Sequence, residues 1–87
     1  MSDSSLMQFP CEFPIKLMGR DTPEFRRTVR SLVEKHTGPL DDDAVQSSLS
    51  RNGRFVSVTI TVTAESRKQL DEIYMEVSAH EDVLMAL

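Results

Sequence analysis

The stretch Asn52-Gly53-Arg54-Phe55-Val56-Ser57-Val58-Thr59-Ile60-Thr61-Val62-Thr63 decides the fold of this chain. From Val56 to Val62 apolar and hydroxyl residues alternate strictly, the period-2 signature of a strand buried on one face. Val56, Val58, Ile60 and Val62 point one way, and Phe55, Ser57, Thr59, Thr61 and Thr63 point the other. Nearly every residue is β-branched, which suits a pleated sheet better than a helix. Asn52-Gly53 just ahead of the strand is a strong hairpin signal and reads as a type I′ turn, in which both central residues take positive φ. The stretch is therefore the central strand of an antiparallel hairpin, with other elements packed on its Val/Ile face alone.

Working outward from that strand, the residues before the turn, Ala44 to Ser50, form a weaker partner strand, and Asp41-Asp42-Asp43 ahead of it is a solvated turn. Gly38-Pro39 stops a helix that begins at Thr22-Pro23, a hydroxyl N-cap with proline at the first helical position and Glu24 favourable to the helix dipole. Phe25, Val29, Leu32, Val33 and His36 make its apolar stripe. Before it, Phe13, Ile15 and Leu17 alternate with Pro14, Lys16 and Met18 in a first strand that Gly19 ends. Pro10 and Pro14 favour extended backbone and suit an edge or a strand entry better than a mid-sheet position. Downstream, a second helix runs from about Glu65 to Ala79, with Thr63 and Ser66 as a weak cap and Leu70, Ile73, Tyr74 and Val77 as its stripe. Val83 to Leu87 closes the chain as a short strand with Val83, Met85 and Leu87 on one face. Met1 to Gln8 has no periodicity and reads as an arm, so residues 9–87 form one domain.

The order strand, helix, strand, strand, helix, strand predicts an α+β, ferredoxin-like βαββαβ sandwich, a four-stranded antiparallel sheet with both helices on one face. Right-handed crossovers give the strand order four-one-three-two. An internal echo agrees with it: Val29, Val33 and His36 recur at the spacing of Ile73, Val77 and His80.

Composition narrows the function classes. The chain has 87 residues, 39% hydrophobic and 28% charged, with a net charge of −4, which argues against a general binder of nucleic acid or anionic membranes. The single cysteine, Cys11, excludes an internal disulfide and fits a reducing compartment. No signal-peptide pattern and no membrane-spanning run occurs, so a cytoplasmic location is expected. No nucleophile elbow, P-loop or dinucleotide fingerprint is present, and no third ligand joins His36 and His80 at metal spacing. Both histidines suit the negative ends of their helices. Neither an enzyme, a metal site nor a cofactor is expected.

Two clusters remain. The loop Gly19-Arg20-Asp21-Thr22-Pro23-Glu24 joins the first strand to the first helix, whose N-terminus offers backbone N–H donors, so Gly19, Arg20, Asp21 and Glu24 are candidate ligand residues. Arg26, Arg27 and Arg30 on the first helix form either a solvated face, with Glu34 at i+4 from Arg30, or a patch for an acidic protein partner. An RNA-recognition motif shares this fold. Arg51, Phe55 and Val56 fit its third strand, but Gly53 and Val58 stand where stacking aromatics belong, which leaves base stacking a single aromatic.

Phe9-Pro10, Phe13-Pro14-Ile15-Lys16-Leu17-Met18-Gly19, Gly53-Arg54-Phe55-Val56-Ser57-Val58-Thr59 and Val83-Leu84-Met85-Ala86-Leu87 resemble the YbeD family of small bacterial proteins over almost the whole chain. That family has no assigned biochemical activity, and its fold is similar to the ACT-type regulatory domains that bind amino acids in metabolic enzymes. The resemblance implies a non-enzymatic regulatory module that senses a small molecule or modulates a protein partner, and that pairs as a homodimer, with Val83 to Leu87 as an exposed edge. The family's genes often lie beside those of lipoate attachment, an association only. In ACT domains the ligand loop reads Asp-x-Pro-Gly and then an apolar residue. Asp21, Pro23 and Phe25 match, whereas Glu24 replaces the glycine. A carboxylate there repels the carboxylate of an amino acid, while a cationic or protein ligand is less affected.

Overall fold

The computed structural model describes residues 8–50 and 52–87. The expected arm over 1–8 lies almost wholly outside them, as does Arg51. The elements are β1 (Cys11–Arg20), α1 (Pro23–Thr37), a short 3₁₀ turn at Asp42–Ala44, β2 (Val45–Leu49), β3 (Phe55–Ala64), α2 (Arg67–Ala79) and β4 (Met85–Ala86). The sheet has four strands in the order β2-β3-β1-β4, all paired antiparallel, which is the predicted order read from the other edge.

β3 is the spine. It pairs with β1 along the whole of both strands, from Cys11 against Ala64 to Arg20 against Phe55. Val56, Val58, Ile60, Val62 and Ala64 are buried with Ile15 and Leu17 of β1, and the helices close over them with Phe25, Val29 and Val33 from α1 and Leu70, Ile73 and Val77 from α2. The two apolar stripes and the alternating strand thus meet in one layer, where burial removes apolar surface from water. Among the described residues no polar or charged side chain is buried.

Both helices start at hydroxyl caps. Thr22 Oγ1 accepts from the Phe25 N–H at 3.0 Å, and Ser66 Oγ accepts from the Gln69 N–H at 3.1 Å. Ser66 alone caps α2, so the helix starts two residues later than its sequence suggests and Thr63 stays in β3. Gly38 ends α1 at φ 82°, a left-handed value that favours glycine.

Three local expectations change. β1 runs on through Gly19, because Arg20 still pairs with Phe55. The β2–β3 connection is a hairpin, but not of type I′: Gly53 takes φ 74°, and no non-glycine residue among those described has positive φ. The Asn52 side chain instead accepts from the Arg54 N–H at 3.1 Å, and the Gly53 N–H donates to the Ser50 carbonyl at 3.0 Å. The last strand is shorter than Val83 to Leu87: Met85 and Leu87 share the open face of the sheet, at 50% and 61% exposure, but Val83 precedes the strand and packs against the core with Ala86, which sits opposite Leu17.

Pro14 fits its position for a backbone reason. The Lys16 N–H donates to the Leu87 carbonyl, so even-numbered residues of β1 turn their polar groups toward the β4 side. β4 reaches only as far as Lys16, and the missing N–H of Pro14 falls beyond its end.

Candidate functional site

The β1–α1 loop, the β2–β3 turn and the α2–β4 connection converge at one end of the sheet. The Asp21 N–H donates to the Arg54 carbonyl at 3.0 Å, which fixes the loop to the β2–β3 turn. On the other side the chain leaves α2 at His80. The His80 Nδ1 accepts from the Asp82 N–H at 3.1 Å, the Val83 N–H donates to the His80 carbonyl at 3.1 Å, and the Leu84 N–H then reaches the Met18 carbonyl at 2.8 Å. Gly19 lies under this junction and is buried. A Cβ there would run into the Phe25 ring and come within 2.7 Å of the Asp82 carbonyl oxygen, so the absence of a side chain lets the two connections approach.

Between them is a cleft of about 230 Å³ lined by Arg20, Thr22, Phe25, Glu81, Asp82 and Leu84. Its apolar walls are Phe25 and Leu84, the latter 59% exposed. The Arg20 guanidinium lies 5.9 Å from the centre of the Phe55 ring, a cation–π contact that steadies it at the rim. Glu81 and Asp82 share the lining and enter no ion pair among the described residues.

Of the four loop residues expected at a ligand site, Arg20 lines the cleft and Gly19 makes room beneath it. Asp21 and Glu24 turn elsewhere: Asp21 binds Arg26 at 2.6 Å, and Glu24 stands 3.8 Å from Arg27. The helix N-terminus has little to offer an anion, since Pro23 has no N–H and the Phe25 N–H is capped by Thr22. Glu81, Asp82 and Leu84 carry no motif of their own. Their signal was the predicted topology, which brings the α2–β4 connection to the same end as the β1–α1 loop.

The arginines of α1 are largely occupied. Arg26 holds Asp21. Arg30 bridges Glu34 at 3.3 Å and Asp42 at 2.9 Å and also donates to the Leu40 carbonyl, so it straps the α1–β2 connection. The Leu40 N–H, followed by Arg30, holds the Glu34 carboxyl below its ordinary range, and the Asp42 and Glu34 bonds raise the Arg30 pKa. Arg27 is the one of the three whose side chain is mostly free, at 72% exposure.

His36 is a bridging residue as well as a helix-end one. Its Nε2 lies 2.6 Å from Glu76 Oε1, Lys35 binds the other oxygen of Glu76, and the Gln69 amide donates to the His36 carbonyl at 2.8 Å. This clasp joins α1 to α2, and the Lys35 bond, followed by that of His36, lowers the Glu76 pKa.

A second hollow of about 300 Å³ lies at the opposite end of the sheet, with Glu12, Asp41, Thr61, Thr63, Glu65 and Gln69 among its walls. Among the described residues no group of three or more His, Cys, Asp or Glu is arranged to hold a metal ion, and no helix is long and apolar enough to cross a membrane.

Fold and cleft together define a small α+β module with a ferredoxin-like sheet and an open end. Residues 4–87 match the family model described as "Protein of unknown function (DUF493)", and the chain belongs to that family of small bacterial proteins, which includes the YbeD proteins. It is 40% identical over 87 residues to the UPF0250 protein NE1487 of Nitrosomonas europaea, covering 100% of both chains. It is 44% identical over 89 residues to a UPF0250 protein of Chromobacterium violaceum, again over 100% of both. The solution structure of HP0495 from H. pylori superposes with a TM-score of 0.74 at 20% identity, covering 100% of this chain and 94% of that one, which shows a shared fold. The family's description assigns no activity.

Proposed function

We propose that this protein is a non-catalytic regulatory module, resembling ACT-type domains, that takes a small cationic or zwitterionic ligand in the cleft between the β1–α1 and α2–β4 connections and relays its occupancy to a protein partner. The observation that carries this reading is that Glu81 and Asp82, unpaired among the described residues, line one cleft of about 230 Å³ together with Arg20, Phe25 and Leu84. An ammonium or guanidinium group seats against the two carboxylates, the remainder of the ligand packs on Phe25 and Leu84, and Arg20 takes a carboxylate where one is present. The replacement of the ACT glycine by Glu24 adds negative charge near this end and disfavours a purely anionic ligand. The Thr22 hydroxyl accepts the Phe25 N–H as a cap, and the cleft is walled by carboxylates, an arginine and apolar side chains, a lining that supports a binding role.

Thermal melting against amino acids, amines, lipoate and nucleotides tests the reading. A ligand at about a hundred times its dissociation constant adds roughly 2.7 kcal/mol, a rise of roughly ten degrees for a domain this small. The expected result is a rise with compounds bearing a cationic group, lost in Glu81→Gln/Asp82→Asn. A flat panel, or a rise that survives the double substitution, overturns it.

A further inference from the structure

Both helices pack on the Val/Ile face of the sheet, and the residues of the other face stand in rows across the strands. Met85, Met18, Ser57 and Ser48 form one row. Leu87, Lys16, Thr59 and Gln46 form the next, with Leu87 and Lys16 exchanging backbone hydrogen bonds at 2.8 and 3.1 Å. On the other side of Met18, Arg20 lies opposite Phe55. The β2 side of this face is therefore polar, whereas the β4–β1 side is apolar. Met85 and Leu87 are 50% and 61% exposed, and Met18 and Phe55 are half-buried. A hollow of about 100 Å³ has Met18, Phe55, Ser48 and Ser57 among its walls, room for one aliphatic side chain. Lys16 and Arg20 flank Met18 along β1 and enter no ion pair among the described residues. Arg26, Arg27, Arg30, Lys35 and Arg67, by contrast, each stand beside an acid. The one acid of β1, Glu12, shares the open face but lies two rows beyond Lys16.

We propose that the β4–β1 half of the open face is a docking surface for an acidic amphipathic helix of a partner protein, laid along β1. A helix about 10 Å across covers two strands roughly 4.8 Å apart, so its apolar stripe rests on Met85, Leu87 and Met18 together. Methionine side chains adapt to stripes of different shape, and the hollow beside Met18 takes one anchoring side chain. Charge selects the sign of the partner. Lys16 and Arg20 are four residues apart, about 13 Å along a strand, a little over two helical turns. Carboxylates at i and i+7 or i+8 of the partner helix meet both cations, and an apolar residue at i+3 or i+4 falls over Met18. A nucleic-acid strand fits less well. Phe55 is the one aromatic that the strands turn to this face, and its ring already carries the Arg20 guanidinium. The surface shares Arg20 alone with the cleft between the β1–α1 and α2–β4 connections, and docking on it requires no ligand in that cleft.

The test titrates the ¹⁵N-labelled full chain, without any small ligand, with a synthetic peptide of about 18 residues, roughly 27 Å of helix. The peptide carries a leucine stripe flanked by glutamates two turns apart. Its controls are a permuted peptide of the same composition, a peptide with lysine in place of glutamate, and a single-stranded oligonucleotide. The expected result is saturable shifts centred on Lys16, Met18, Phe55, Ser57, Met85 and Leu87, with affinity at least about tenfold above that of the permuted peptide and falling as salt is added. Lys16→Glu replaces an exposed cation and is expected to keep the fold by circular dichroism and to weaken binding at least about tenfold. Met85→Ser removes an exposed apolar contact, is expected to weaken binding as well, and serves if the first variant does not fold. Neither residue lines the cleft, so failure here and failure of the ligand reading are told apart. Equal binding of the permuted peptide, tighter binding of the lysine peptide or the oligonucleotide, affinity unchanged in a folded variant, or no saturable shift up to about 1 mM peptide overturns the proposal.

Discussion

Gly19 is the residue on which the candidate cleft most depends. Its lack of a Cβ lets the Phe25 ring and the Asp82 carbonyl close over β1, and the Asp82 oxygen belongs to backbone that cannot swing aside like a flexible side chain. Gly19→Ala is therefore expected to destabilise the fold by roughly 2 kcal/mol through overpacking, read as a lower midpoint in urea at unchanged slope. An unchanged midpoint would mean that the two connections are not held together at this point. Glu76 makes a different prediction. Lys35 and His36 hold its carboxyl below the ordinary glutamate range, so the folded chain binds fewer protons there than the unfolded chain does. The resulting stabilisation is whole above the unfolded value of about 4.3 and is lost as pH falls through the depressed folded value. Melting temperature should drop more steeply with acidification in the native protein than in Glu76→Gln; parallel curves would remove the clasp from the account.

Elements in this chain are set by short local signals backed by burial. The caps are the clearest case: Thr22→Ala and Ser66→Ala each leave an N–H at a helix start without its side-chain acceptor and are expected to cost about 1 kcal/mol. Calorimetry that found no loss for either would show that packing alone sets the helix starts. The long elements were legible in sequence because their periods are unambiguous. Val56 to Val62 alternates over a full strand, and Phe25, Val29 and Val33 repeat at helical spacing, so strand order and the core followed from handedness and short connections. Ends and turns were less legible. Asn52 was read for its backbone tolerance of positive φ, but its side chain makes the turn by accepting from Arg54. β4 is too short for alternation to fix its face, and its pairing with β1 turned Ala86 inward and Met85 and Leu87 outward.

On the scale of the whole molecule, the sequence singled out one of the two connections that wall the cleft. The β1–α1 loop stood out because proline, a hydroxyl cap and glycine mark it. The facing wall, Glu81, Asp82 and Leu84, lies sixty or so residues away in sequence and becomes a wall only once β4 has paired beside β1. Ion pairing was also hidden: Asp21 and Glu24 look available in sequence, yet both lie beside arginines one helical turn on, and Arg26 and Arg30 close local contacts. Glu81, Asp82 and Arg20, by contrast, line the cleft and enter no ion pair among the described residues, and these are the charges the proposed ligand would meet.

The most direct measurement of that claim is an amide chemical-shift titration of the uniformly ¹⁵N-labelled protein with arginine, agmatine and lipoate. Saturable shifts centred on Arg20, Thr22, Phe25, Glu81, Asp82 and Leu84 with a cationic compound, absent with lipoate, are the predicted result. Shifts centred on the hollow around Glu12 and Asp41, shifts with lipoate alone, or no saturable shift at all would contradict it.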